Sequence, residues 1–111
     1  MEISELETGA VTVFELRGRL TLESFGSLKT RVRTVVTSGA RALVLDLSAV
    51  SYIDSIGVAE LVRCHVMTAR QGGCVALAAI PAHIDQLLKV TRLDEIFIRF
   101  DTRAQAVECL A

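Results

Sequence analysis

The sequence contains few residues of several types whose abundance is typical of particular classes of protein. Its 111 residues include no tryptophan, one tyrosine, one proline and three cysteines. The odd number of cysteines does not suit a disulfide framework, and Cys64, Cys74 and Cys109 lack the paired spacing of zinc ligands. We therefore expect all three to be small buried hydrophobic side chains in a reducing compartment.

Long uncharged segments are also missing, although 51% of the residues are hydrophobic and the mean hydropathy is +0.47. No window approaches the roughly 20 apolar residues that a membrane-spanning helix needs. The N-terminus, MEISELE, is acidic and alternating, unlike a secretory signal. The sequence therefore predicts a cytoplasmic protein without membrane insertion, with a single domain over residues 1–111.

Neither sign of charge is in large excess, since 12 basic and 13 acidic residues give a formal net charge of −1. A large positive field is what attracts the phosphate backbone of nucleic acids or an anionic lipid surface. The balance of charge therefore predicts that the partner of this protein is not a nucleic acid.

Signatures of enzymes are equally scarce. There is no glycine-rich phosphate loop with a lysine and no dinucleotide-binding fingerprint. A hydrolase nucleophile elbow needs glycine two residues before Ser55, where Ile53 stands. His65 and His83 fall in different predicted elements, so the pattern does not indicate a metal site. We expect no catalysis and no cofactor, with an unfamiliar serine mechanism at Ser55 as the alternative.

Strand patterns are clear along the chain. Residues 2–17 predict a hairpin with its turn at residues 8–10, and residues 43–47 have the short apolar run of a strand buried on both faces. Asp46 interrupts that run, and its carboxylate either organises the following loop or contacts a partner. Two further strands are predicted at residues 75–79 and 96–100.

Helical spacing separates these strands. The first helix is predicted from an N-cap at Thr21 to about residue 37, and the second from Ser55 to its end at Gln71-Gly72-Gly73. A third begins at Pro81, and a fourth at the capping box of residues 102–105. The first two helices are expected to turn these apolar residues inward: Leu22, Phe25, Leu28, Val32, Val35 and Val36, then Val58, Ala59, Leu61, Val62, Val66 and Ala69.

The order of elements is thus β-β-α-β-α-β-α-β-α. It predicts an α/β fold with a mixed, mostly parallel sheet of about five strands and about four helices, begun by one antiparallel hairpin strand. In such sheets the loops at the carboxyl ends of the strands gather the functional residues.

Ser55 lies at one of these strand-to-helix junctions. Its hydroxyl could cap the helix, as Asp54 also could, or it could accept a phosphate. A phosphate there would add nearly two negative charges beside Asp54 and Glu60, making the surface strongly acidic. The residues alone leave both roles open.

Three segments resemble the STAS domain family, in particular its freestanding anti-sigma factor antagonists. The most specific is residues 43–61, LVLDLSAVSYIDSIGVAEL, supported by Gly18-Arg19-Leu20 and by residues 88–97, LKVTRLDEIF. The resemblance covers nearly the whole chain. It implies a bacterial signalling protein that regulates transcription through protein–protein contacts.

In detail, the resemblance implies that the unphosphorylated protein binds an anti-sigma factor that is also a serine kinase, releasing a sigma factor. Phosphorylation of Ser55 would weaken binding, and a phosphatase acting on phosphorylated Ser55 would restore it. Asp54 would orient the loop or contact the kinase, and Gly57 would allow close approach of the backbone. The expected partner-binding surface comprises Thr21, Glu23, Ser24, Asp54, Ser55, Ile56, Gly57 and Val58.

Two positions depart from the family pattern. Ile56 stands where Ser or Thr usually follows the phosphoacceptor, and Thr21 stands where Asp is common, with Glu23 as a possible substitute. An apolar residue beside Ser55 suits a permanent interface. The second hypothesis is therefore a constitutive STAS subunit of a lipid-transport or signalling complex, without a phosphorylation switch.

Overall fold

The computed structural model describes all 111 residues, and its sheet follows the predicted order of elements. The strands are β1 (Glu2–Thr8), β2 (Val11–Leu20), β3 (Ala42–Ile53), β4 (Cys74–Ala78) and β5 (Ile98–Phe100). They lie side by side in the order β1-β2-β3-β4-β5. The β1 strand is antiparallel to β2, and all the other pairs are parallel. The predicted mixed α/β sheet is thus confirmed.

Four α-helices cover the sheet unequally: α1 (Ser27–Thr37), α2 (Ser55–Arg70), α3 (Ala82–Val90) and α4 (Arg103–Leu110). Buried residues of α1, α2 and α3 pack against one face of the sheet and form with it a core of 19 residues. On the other face, Ala106 of α4 packs with Val11, Val13, Val44 and Ala78 in a smaller cluster. Burial on both faces explains why residues 43–47 are nearly all apolar.

The first helix is shorter than predicted. Thr21 caps a single 3-10 turn, Leu22–Ser24, and α1 begins only at Ser27. Gly26 between them has a φ of 93°, in the left-handed region that breaks a helix and favours glycine. The assignment of Leu22 and Phe25 to the buried stripe was therefore wrong, since they are 67% and 45% exposed.

The buried face of α2 also differs from the prediction. Gly57, Val58, Glu60, Leu61, Cys64 and Thr68 are buried, whereas Val66 and Ala69 are exposed. The predicted stripe followed apolar side chains alone, so it missed a face that includes a carboxylate and a hydroxyl. The Thr68 hydroxyl is satisfied by the carbonyl oxygen of Cys64, at 2.8 Å.

Two further boundaries and two cysteines need correction. The third strand does not end at residue 47 but continues to Ile53, paired with the second half of β2. The last strand begins at Ile98, because Leu93–Glu95 form a 3-10 turn. Cys109 is exposed on α4 rather than buried, and Cys74 is half-buried.

Candidate functional site

The two segments predicted to bind a partner meet at the carboxylate of Asp54. Its Oδ1 accepts a hydrogen bond from the Gly57 N–H at 2.8 Å, and its Oδ2 accepts one from the Leu22 N–H at 3.4 Å. The Asp54 N–H in turn donates to the carbonyl oxygen of Leu20, at 3.3 Å. Asp54 therefore caps α2 and ties the 3-10 turn after β2 to the start of that helix.

Gly57 allows the start of α2 to press against the end of β2. A Cβ atom at this position would overlap the carbonyl oxygen of Leu20 and come within 2.8 Å of the Ile53 side chain. No other residue fits without a shift of backbone, so the close approach expected at Gly57 is present. The position of the Ser55 turn is thereby fixed by packing.

Ser55 is the first residue of α2, and its side chain is exposed. Capping is carried out by Asp54, and the Ser55 hydroxyl makes no hydrogen bond within the protein. The interpretation of Ser55 as a capping residue is therefore wrong. Its hydroxyl faces solvent at the positive end of a helix, where the first N–H groups have no intrahelical acceptor.

The predicted partner-binding residues fall into three groups by exposure. Thr21, Gly57 and Val58 are buried, and the Thr21 hydroxyl accepts from the Glu23 N–H at 3.3 Å. Ser24 and Asp54 are half-buried. Glu23, Ser55 and Ile56 are exposed, so a partner would meet mainly these, on a turn shaped by the others.

Glu60 does not contribute to the surface charge at Ser55, contrary to the prediction. Its side chain is 0% exposed, and its Oε2 accepts hydrogen bonds from the N–H groups of Gly26 and Lys29, both at 3.0 Å. Gly26 has no side chain with which to cap α1, and the carboxylate of Glu60 performs that role from α2. Of the two carboxylates predicted to lie beside Ser55, only that of Asp54 is accessible to solvent.

Three exposed apolar side chains lie near the turn; Ile56 was predicted in the partner-binding surface, whereas the exposure of Leu22 and Phe25 was not predicted. Leu22 is held beside the start of α2 by Asp54, and Ile56 is 37% exposed in the first turn of α2. The ring of Phe25 lies 5.6 Å from the guanidinium carbon of Arg63, further along the same helix. Gly26 directly after Phe25 was the available signal that the helix starts later and leaves these residues exposed.

Asp46 lies away from this site, within β3. Its Oδ1 accepts from the Ser48 N–H at 3.0 Å, and its Oδ2 lies 3.4 Å from Arg103 of α4. Asp46 thus organises the backbone after it, as one of the two interpretations held, although that backbone is strand rather than loop.

The remaining titratable groups do not converge on a metal or a nucleophile. No group of three His, Cys, Asp or Glu side chains could hold a metal ion. Burial raises the pKa of the Cys64 thiol to about 12, and the nearby Glu60 carboxylate adds to the increase. A thiol with such a pKa is a poor nucleophile at neutral pH. None of the helices is both long and apolar enough to cross a membrane.

Comparison with known proteins connects this geometry to a family. The family model of the STAS domain matches residues 3–106. A proposed anti-sigma factor antagonist from Thermotoga maritima has 25% identity and a TM-score of 0.90, over 97% of this chain and 93% of that chain. An anti-sigma factor antagonist from Mycobacterium paratuberculosis has 23% identity and a TM-score of 0.87, over 98% of this chain and 92% of that chain. Phosphorylated SpoIIAA, a Bacillus cell fate determinant, shares the fold at 16% identity and a TM-score of 0.77, over 99% of this chain and 100% of that chain.

Proposed function

The chain belongs to the STAS domain family, and on that premise we propose that it is an anti-sigma factor antagonist controlled by phosphorylation of Ser55. In its unphosphorylated form it binds an anti-sigma factor that is also a serine kinase, and so frees a sigma factor in the cytoplasm. A phosphatase acting on phosphorylated Ser55 restores binding. The protein itself acts by binding and not by catalysis.

One observation supports this switch above the others: the Ser55 hydroxyl is exposed and unbonded, on a helix start held in place by Asp54 and Gly57. A kinase can reach such a hydroxyl without unfolding the turn. The same fold occurs in SpoIIAA, an anti-sigma factor antagonist with unphosphorylated and phosphorylated forms.

The surroundings of Ser55 suggest how a phosphate would act. Exposed Ile56 and Leu22 offer apolar contacts to a partner. These contacts contribute to the free energy of binding only if water is excluded around them. A phosphate carries nearly two negative charges, and it would stand next to the carboxylate of Asp54. Binding then requires this charge to be desolvated against the partner, so affinity falls.

The kinase reaction tests the proposal directly. A candidate anti-sigma kinase encoded beside this gene is incubated with the protein and ATP, and the phosphorylated residue is identified by mass spectrometry. Ser55→Ala should abolish phosphorylation. Ser27→Ala is a matched control, because Ser27 is also the exposed first residue of a helix, α1. No phosphate transfer, or equal transfer to the Ser55→Ala protein, would show the switch to be wrong.

Binding measurements with the same kinase test the consequence of phosphorylation. By calorimetry, Ser55→Ala should bind nearly as tightly as wild type, whereas Ser55→Asp should bind at least about tenfold more weakly, the equivalent of about 1.4 kcal/mol. Equal affinity of the two variants would contradict the electrostatic mechanism.

The exposure of Ile56, Leu22 and Phe25 favours a second candidate, a constitutive STAS subunit of a lipid-transport or signalling complex. Large exposed apolar side chains are typical of a permanent protein–protein interface. Affinity purification separates the two: a transporter ATPase that copurifies stoichiometrically would support the second candidate, and a histidine-kinase-like ATPase would support the first.

A further inference from the structure

The outer surfaces of α1 and α2 carry positive charge only. No acidic residue occurs in α1, and the single acidic residue of α2, Glu60, is buried and bonded to backbone N–H groups. The two helices contribute five basic side chains in a protein whose net charge is −1. This face is therefore a local concentration of cations that the overall composition conceals.

Four of these cations line one groove between the helices: Lys29, Arg33, Arg63 and Arg70. None of the four forms an ion pair, because the salt bridges of the protein use Arg31, Lys89, Arg99 and Arg103. Unpaired cations of like sign repel one another, and a complementary anionic surface removes that repulsion.

The floor of the groove is apolar. Val62 and Met67 are half-buried there, Val66 is 38% exposed, and the groove has a volume of about 520 Å³. The cations stand along both sides, since Lys29 and Arg33 are one turn apart on α1, and Arg63 and Arg70 are two turns apart on α2. An apolar floor between two rows of cations matches a segment with an apolar face and acidic flanks.

We propose that this groove binds an acidic amphipathic helix of a partner protein. A small anion would need cations that converge on one point, whereas these extend over about 10 Å along α2, at 1.5 Å per residue. A flat lipid surface cannot fill a concave groove. A helix with apolar residues at i, i+3, i+4 and i+7 fits both the floor and the two rows. The site is separate from Ser55 and does not rest on its phosphorylation.

Fluorescence anisotropy with defined peptides tests the proposal on the intact protein. The probe is a fluorescein-labelled helical peptide of about four turns, with leucine on one face and glutamate elsewhere, and its partner probe has glutamine in place of glutamate. We expect saturable binding of the glutamate peptide, weakened by salt, and at least about fivefold weaker binding of the glutamine peptide. Equal binding of the two peptides, or none of the glutamate peptide, overturns the proposal.

Matched variants locate the site. Arg33→Gln with Arg70→Gln should weaken binding about fivefold, because two exposed ion pairs are lost. Arg17→Gln with Arg92→Gln removes two exposed cations outside the groove and should leave binding unchanged. Equal weakening by both pairs overturns the proposal, as does a set of NMR shift changes away from α1 and α2. Binding of phosphatidylglycerol vesicles or duplex DNA through the groove cations in preference to the glutamate peptide overturns it in favour of a membrane or a nucleic acid.

Discussion

Replacement of Glu60 by alanine removes the one charged side chain that has no solvent exposure. Its Oε2 accepts two hydrogen bonds of 3.0 Å, from the N–H groups of Gly26 and Lys29. A hydrogen bond to a charged group contributes about 1.5–3 kcal/mol, and the loss of a helix cap costs about 1 kcal/mol. The carboxylate's own desolvation offsets part of this, so we expect Glu60→Ala to lower the free energy of unfolding by about 3 kcal/mol.

Glu60→Gln should cost less, about 1–2 kcal/mol. The amide oxygen of glutamine can accept both hydrogen bonds, but its NH₂ group would take the place of Oε1. That atom is buried and has no hydrogen-bond partner, so the amide would introduce a buried donor without an acceptor. Glu23→Ala, at an exposed glutamate, is the control and should change stability by less than about 0.5 kcal/mol.

Urea unfolding followed by circular dichroism measures these differences. With an m value of about 1–3 kcal/mol/M, a loss of about 3 kcal/mol should lower the urea midpoint of Glu60→Ala by roughly 1–3 M. The glutamine variant should lie between alanine and wild type. A midpoint for Glu60→Ala within error of wild type, or a glutamine variant as unstable as the alanine variant, would refute the role of Glu60 as the cap of α1.

Two other predictions concern the packing of α2. Gly57→Ala should destabilise the protein by more than about 2 kcal/mol in the same assay, because its Cβ would overlap the Leu20 carbonyl oxygen, whereas Ser55→Ala in the same turn should be nearly neutral. In the native protein at pH 8, Cys109 should react with a thiol reagent and Cys64 should not. Burial raises the pKa of the Cys64 thiol from 9.0 to about 12. The stabilisation that comes from burying the neutral thiol is therefore complete below pH 9 and is lost as pH rises toward 12. Reaction of native Cys64 at pH 8 would contradict its burial.

Much of the candidate site was predictable because it is local in sequence. Asp54, Ser55 and Gly57 are neighbours in the chain, and the apolar run before them and the helical spacing after them predict a strand-to-helix junction. The exposure of the Ser55 hydroxyl was not predictable in this way. Asp and Ser are both good capping residues, and only the hydrogen bond from Gly57 to Asp54 decides between them.

The burial of Glu60 and Phe25 was predicted wrongly for a different reason. Glu60 was placed on the surface because carboxylates are rarely buried, but its acceptor role depends on Gly26 and Lys29, 34 and 31 residues earlier in the chain. Phe25 was placed inside because it continues an apolar spacing that Gly26 breaks. In both cases a feature other than apolar spacing reversed the expected burial: a distant contact for Glu60 and the neighbouring Gly26 for Phe25.

The sequence by itself determined the order of strands and helices, the buried centre of the sheet and the location of the strand-to-helix turn at Ser55, because periodicity and capping are properties of neighbouring residues. Only the tertiary structure decided which polar groups are buried, which apolar ones are exposed and which cations share a groove. Those properties depend on pairs of atoms that are distant in the chain, such as Asp54 with Leu22 and Glu60 with Lys29, and local patterns do not specify them.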